Sequence, residues 1–260
     1  MLTERSARVV AAVKLHRHVG RRRAGRFLAE GPNLVEAAAA VGLVREVFVT
    51  EPAAQRHAAL VDALDCPVHP VTERAAKALS DTVTPVGLVA ACDLPGTRLE
   101  DVLAGRPRLV AVAVGISEPG NAGTLIRIAD AMGAGGVLLV GHSVDPYNGK
   151  CLRASAGSIF ACPVVVVPDG HAAISALRGA GLQVLATAPD GDTRLDEADR
   201  LLGAPTAWLF GPESHGLPAE FAAAADRRLR IPMAGGAESL NVAAAAAICL
   251  YQSARALDLL

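Results

Sequence analysis

Aromatic side chains are scarce: Phe, Tyr and Trp make up 3% of the 260 residues, with one Trp. That excludes an RNA-recognition sheet built on stacked rings. Long apolar runs are also missing. Residues 242–251 form one of the longest, well short of the roughly 20 residues that a bilayer span requires, so no membrane partner is expected. The opening MLTERSARVV carries charges and no apolar h-region, so no secretory signal is expected. Cysteine is sparse and odd in number, at 66, 92, 151, 162 and 249, with no C-x-x-C pair. This argues against a disulfide framework and a zinc cluster, and for a reducing cytoplasm. Neither sign of charge dominates, with 25 Lys and Arg against 26 Asp and Glu. What is abundant is apolar: 52% hydrophobic and 20% charged residues exclude disorder and supply one large or two modest domains with a core.

The balanced charge is unevenly placed. Arg5, Arg8, Lys14, Arg17, Arg21, Arg22, Arg23 and Arg26 precede residue 30 against Glu4 and Glu30, with His16 and His18 among them. Such a block is either a polyanion contact or a solvated arm, and the run alone leaves both open. Helices are expected at 33–41, 53–64 and 72–79, and strands at 44–49, 66–71 and 86–92. The segment DLPGTRLEDVLAGRPR (93–108), with two prolines and two glycines, reads as a linker with room for a short helix.

From residue 109 strands and helices alternate. Strands are expected at 109–114, 136–140, 163–167, 182–186, 206–210 and 228–231. Helices are expected at 123–132, 172–180, 218–224 and 239–257. This is the pattern of a parallel sheet wrapped by helices. Ligands of such sheets sit beyond the carboxyl ends of strands, which directs attention to the loops after 114, 186, 210 and 231.

Three of these loops carry polar groups in suggestive order. GISEPGNAGTLIRIADAMGAGG (115–136) places Asn121 at or near a helix cap and Arg127 off the apolar stripe formed by Leu125, Ile128, Ala129 and Met132. A guanidinium near a helix start offers a permanent, bidentate phosphate clamp. The loop contains neither a P-loop nor a G-x-G-x-x-G fingerprint. LFGPESHGLP (209–218) ends a strand in Gly211, where a ligand could approach the backbone closely, and then offers Glu213 and His215. Ser214 lacks the glycine that a nucleophile elbow needs. IPMAGGAESLNVAAAAA (231–247) turns through glycines into Ser239, a good N-cap, and Asn241. Each loop alone has a bland structural reading.

Together and in this order, the three loops resemble the signature motifs of the SpoU (TrmH) family of RNA ribose 2'-O-methyltransferases, within the SPOUT superfamily. The resemblance spans about 109–255 and includes VDPYNGKCLRASAGSIF (144–160). RFLAEGPNLVEAAA followed by VREVFVT is similar to the opening of a small ribosomal-protein-like RNA-binding domain often found ahead of it.

The resemblance implies an α/β architecture. A small RNA-binding α/β domain (1–96) and a linker (97–108) precede a methyltransferase domain (109–260). Its mostly parallel sheet carries helices on both faces and a deep trefoil knot. It implies S-adenosylmethionine as cofactor, held by Gly211, Ile231 and Leu240 with Leu209, Met233 and Thr187 nearby. It assigns Arg127 to the reacting hydroxyl, with Asn121, Glu213, Ser239 and Asn241 in support. Because a guanidinium stays protonated, a clamp that steadies phosphate and a developing alkoxide suits it better than a base. No metal is implied. The implied assembly is a homodimer with its active site at the interface. The implied partner is structured RNA, 23S ribosomal RNA before tRNA by analogy, met by Arg21, Arg22, Arg23, Arg26 and Arg153. A non-catalytic RNA-binding or ribosome-assembly protein of the same fold is the alternative.

Overall fold

The structure, a computed structural model, describes residues 1–213 and 215–260. The chain forms two compact units, Met1–Gly96 with Tyr147–Phe160, and Thr97–Pro146 with Ala161–Leu260. The segment Tyr147–Phe160, which sequence alone assigns to the second domain, therefore belongs with the first. Its aromatic rings explain this. Phe27 is fully buried, with its ring centroid 5.0 Å from that of Tyr147 and 6.1 Å from that of Phe160. Aromatic pairs of this kind add to the gain from burying the Phe27 ring.

The first unit holds strands β1 (Arg26–Glu30), β2 (Val44–Val49), β3 (Val68–Pro70) and β4 (Leu88–Asp93), in the order β1-β4-β2-β3. Strand β1 was not expected, because it opens inside the basic block. Only its centre, Phe27, Leu28 and Ala29, carries the apolar signal, and it pairs antiparallel with β4. The basic block itself is ordered, with helices at Ala7–Val13 and His18–Ala24. The single helix expected over 53–64 breaks at His57 into Glu51–Arg56 and Ala58–Asp62. Thr50 and Thr72 cap the helices that follow them, accepting from the Ala53 and Ala75 amides.

The second unit opens with the expected linker. Its helix Leu99–Ala104 puts Val102 into the core of this unit, so the segment is packed structure. Then come β5 (Leu109–Val114), β6 (Val137–Val140), β7 (Val164–Val167), β8 (Gln183–Thr187), β9 (Thr193–Arg194), β10 (Thr206–Phe210) and β11 (Arg227–Arg230). Among the described residues they form one all-parallel sheet in the order β7-β6-β5-β10-β8-β11-β9. Every residue of β5 and β10 is buried, as the continuous apolar runs require of central strands covered on both faces. The helix Pro119–Ala131 follows β5, and the last helix, Val242–Ala256, packs against it and against β5 and β10. Trp208 of β10 donates its indole N–H to the Ser253 hydroxyl at 2.8 Å, and both residues are fully buried. Since β5, β10, β8 and β11 are adjacent and parallel, their C-terminal loops emerge side by side at one edge.

Candidate active site

A single carboxylate ties three of these loops together. Glu213 Oε1, after β10, accepts hydrogen bonds from Asn121 Nδ2 at 3.0 Å, from the Val242 amide at 2.9 Å and from Asn241 Nδ2. Asn241 Nδ2 also donates to Asn121 Oδ1 at 3.0 Å. The other end of the Asn241 amide caps the last helix, with Oδ1 accepting from the Ala243 and Ala244 N–H groups at 2.9 and 3.3 Å. The negative charge of Glu213 thus lies at the positive end of a 15-residue helix.

This junction borders a cavity of about 400 Å³. Residues 187–189 line it after β8, and 211–213 and 215–217 after β10. Leu229, Ile231, Met233, residues 238–240, Val242 and Ala245 complete the wall. Leu217, Leu229, Ile231, Leu240 and Val242 make it a largely aliphatic slot. Among the described lining residues the ionisable ones are Glu213, Glu238 and His215, with no Lys or Arg. Two carboxylates with no Lys or Arg among the described lining residues suit a cationic ligand rather than a phosphate-bearing nucleotide. A flat ring can lie between the aliphatic walls while main-chain groups of the loops read its polar edge. The slot therefore fits S-adenosylmethionine, which joins an adenine ring to a sulfonium and an ammonium.

The SpoU rRNA Methylase family model matches residues 108–251, and that of the MRM3-like substrate binding domain matches residues 7–90. The chain belongs to the SpoU rRNA methylase family. Like other SpoU methyltransferases it is an S-adenosylmethionine-dependent enzyme. It is 34% identical over 239 residues to the Bacillus subtilis 23S rRNA (guanosine(2553)-2'-O)-methyltransferase RlmP, covering 92% of each chain. It is 37% identical to the tRNA (guanosine(18)-2'-O)-methyltransferase of Thermus thermophilus over 61% of this chain and 80% of that one. The crystal structure of the SpoU methyltransferase AviRb from Streptomyces viridochromogenes with AdoMet superposes with a TM-score of 0.85 at 31% identity, covering 96% of this chain and 98% of that one.

Set in this SpoU frame, the residues expected from sequence divide into groups. Asn121, Glu213 and Asn241 meet directly. Ser239 lines the cavity, as do Gly211, Ile231, Leu240, Met233 and Thr187. Leu209 does not. Its side chain is buried in the core, and its carbonyl accepts from the Thr187 hydroxyl at 3.5 Å. Arg127 is exposed on the Pro119–Ala131 helix, outside the lining of this cavity. Six residues separate it from Asn121, a rotation of about 240° on a helix, so the two side chains leave different faces.

Three local readings change. Ser239 is not an N-cap, because the last helix starts at Val242 with Asn241 capping it. Asn121 lies inside its helix, which Pro119 opens early and Glu118 caps by accepting from the Gly120 amide. What approaches Gly211 is the protein's own chain. A Cβ there would sit 2.4 Å from the Leu217 nitrogen and 2.5 Å from its Cα. Sequence reasoning also missed Leu217, Leu229 and Glu238 of the cavity wall. The Gly-Leu-Pro at 216–218 and the carboxylate beside Ser239 were the available signals.

The expected RNA contacts divide as well. Arg21 is 4% exposed and donates to the Leu15 and His16 carbonyls at 2.9 Å each, so it is internal scaffolding. Arg26 pairs with Asp93 at 3.3 Å and Glu46 at 3.9 Å. Arg153 pairs with Asp81 and stands 4.0 Å from Glu30, within the first unit. Arg22 and Arg23 are exposed. Burial pushes the Cys92 and Cys162 thiols up to about 12, aided by Asp93 and Asp130 respectively, which removes both as nucleophiles at neutral pH.

Proposed function

We propose that the protein methylates the 2'-hydroxyl of a ribose in 23S ribosomal RNA. The observation that carries this reading is the Glu213 junction bordering an aliphatic, acid-lined cavity. The rRNA target is favoured over tRNA because the match to RlmP spans 92% of the chain, whereas that to the tRNA enzyme spans 61%. S-adenosylmethionine bound in the cavity supplies a methyl group on a sulfonium, open to in-line attack by an oxygen. The protein's task is then alignment, which accounts for most of the acceleration of such a displacement. Glu213, Asn121 and Asn241 hold the three loops in register. Ser239, exposed at the cavity wall, offers a hydroxyl to the incoming ribose. Arg127 steadies the adjacent phosphate and the developing alkoxide, and the hydroxyl proton leaves to solvent, since a guanidinium cannot accept it.

Arg127 lies outside the cavity lining, so this reading has a second copy of the chain supply it across a homodimer interface. Ile248 (37%) and Tyr251 (48%), exposed on the Val242–Ala256 helix, support such an interface. A knotted path through the C-terminal strands and loops belongs to this reading through the match to the SpoU family. The five free cysteines support residence in a reducing cytoplasm. No helix among the described residues is long and apolar enough to cross a membrane.

The test is incubation of the protein with labelled S-adenosylmethionine and, separately, unmodified 23S rRNA and tRNA, followed by ribose-methylation mapping. Label at one ribose of 23S rRNA is expected. Label in tRNA alone, on a base, or in neither RNA overturns the proposal.

A further inference from the structure

The basic block contains an exposed cationic face and a buried cation that builds it. Between Arg5 and Ala29 there is no acidic residue. Within this stretch the chain turns through Lys14–His16 into the helix His18–Ala24. The turn is locked from inside. Arg21 is buried and spans the Leu15 and His16 carbonyls. Gly20 lies so close that a Cβ would fall 2.0 Å from the Lys14 carbonyl oxygen. At about 100° per residue, Gly20 and Arg21 occupy one side of the helix. His18, Arg22, Val19 and Arg23 fall within an arc of about 140° on the other side. All four are exposed, and Lys14 and Arg17 extend the same character from the preceding turn. Val19, 76% exposed, is the apolar residue of this face.

Long cationic side chains usually neutralise themselves against neighbouring carboxylates, as Arg8, Arg26 and Arg45 do here with Glu46 and Asp93. On this helix no carboxylate is near in sequence, and a fixed scaffold holds Arg22 and Arg23 on one face, with exposed Arg17 at the helix start. Phosphates spaced along a backbone are the complementary ligand for such a row.

We infer that Arg17, Arg22 and Arg23, presented by the Arg21 scaffold, form a phosphate-backbone docking face for the RNA substrate. The inference rests on the RNA reading above and names the surface that reading lacks. The face contributes affinity and orientation without choosing bases. Arg26 and Arg153, already paired with carboxylates, stand outside it.

The test uses the full chain and a full-length 23S rRNA transcript, with binding measured across a salt series. Each phosphate contact contributes about 0.7–0.9 to the slope of log K against log salt. The variant R17A/R22A/R23A is therefore expected to flatten that slope by about 2–3 and to weaken binding at 0.15 M salt on the order of 100-fold. Its melting temperature and its affinity for S-adenosylmethionine are expected to match the wild type. Where the triple variant melts early, R22Q/R23Q is read instead, with about two thirds of the slope change. A control with the same change of net charge, R56A/R106A/R200A, removes exposed arginines elsewhere and is expected to bind like the wild type. An unchanged slope in R17A/R22A/R23A, alongside wild-type methylation of the transcript, overturns the docking face alone. An equal loss in the control overturns it in favour of bulk charge. A wild type that neither binds nor methylates the transcript overturns the RNA reading and this inference with it.

Discussion

Glu213→Leu removes the acceptor on which three loops converge. The change leaves the Asn121 and Asn241 side-chain amides and the Val242 N–H without their common partner. A hydrogen bond to a charged group is worth about 1.5–3 kcal/mol. The two side-chain amides are accessible to water, which replaces most of what they lose. The Val242 N–H is part-buried, so the low end of that range, about 1.5 kcal/mol, applies to it. Removing a negative charge from the helix N-terminus adds roughly 0.3–1 kcal/mol. The total, about 2 kcal/mol, corresponds to a fall of roughly 4–8 °C in the melting temperature of the second unit. The same change unties the cavity wall after β10 from the start of the last helix. The Kd for S-adenosylmethionine should rise about tenfold, equivalent to 1.4 kcal/mol. Glu213→Gln keeps an acceptor oxygen and should lie between wild type and Glu213→Leu. Thermal denaturation and titration calorimetry report the two effects separately. A Glu213→Leu protein that melts with the wild type and binds the methyl donor as tightly would refute the junction argument.

Arg127→Ala should bind S-adenosylmethionine like the wild type, because the side chain lies outside the cavity, yet lose nearly all methyl transfer to RNA; calorimetry and a turnover assay separate the two. Gly211→Ala forces a Cβ against the Leu217 backbone at 2.4 Å and should cost several kcal/mol, on the scale of overpacking in a rigid core, with loss of donor binding in calorimetry. Ser253→Ala leaves the buried Trp208 N–H unsatisfied and should cost about 1–3 kcal/mol in urea denaturation followed by the fluorescence of the sole tryptophan. Burial raises the Asp226 carboxyl, but the Val184 amide and Arg178 outweigh it and hold the group below its usual value of 3.8, so its stabilisation is present above that pH and lost as pH falls through the lower folded value. Asp226→Asn should accordingly flatten the acid limb of a melting-temperature profile below about pH 4.

What was legible in the sequence followed from how local each signal is. The strands Val44–Val49, Leu109–Val114 and Thr206–Phe210 coincide with their expected bounds, because β-branched and apolar residues in short runs between turn residues leave little other period to read. The polar site residues were legible as a set because each lies in the loop or helix start that follows a strand of one parallel sheet, where ligands of such sheets bind. Contacts between distant segments were not legible. Ser239 and Asn241 are equally good helix caps by residue type, yet Asn241 takes the role, with Glu213, 28 residues upstream, fixing its amide. Nothing within a helical window reports that bond. The basic block failed for a related reason. Arg21, Arg22 and Arg23 are one residue type in one run, and only the rotation of about 100° between successive positions makes the first a buried tie and the other two a surface. Composition counts such charges alike, whereas a helix that packs one side inward must give them different work. The division between Arg21 and its two neighbours is therefore a consequence of helix geometry, visible only once the turn at Lys14–His16 sets which side faces the core.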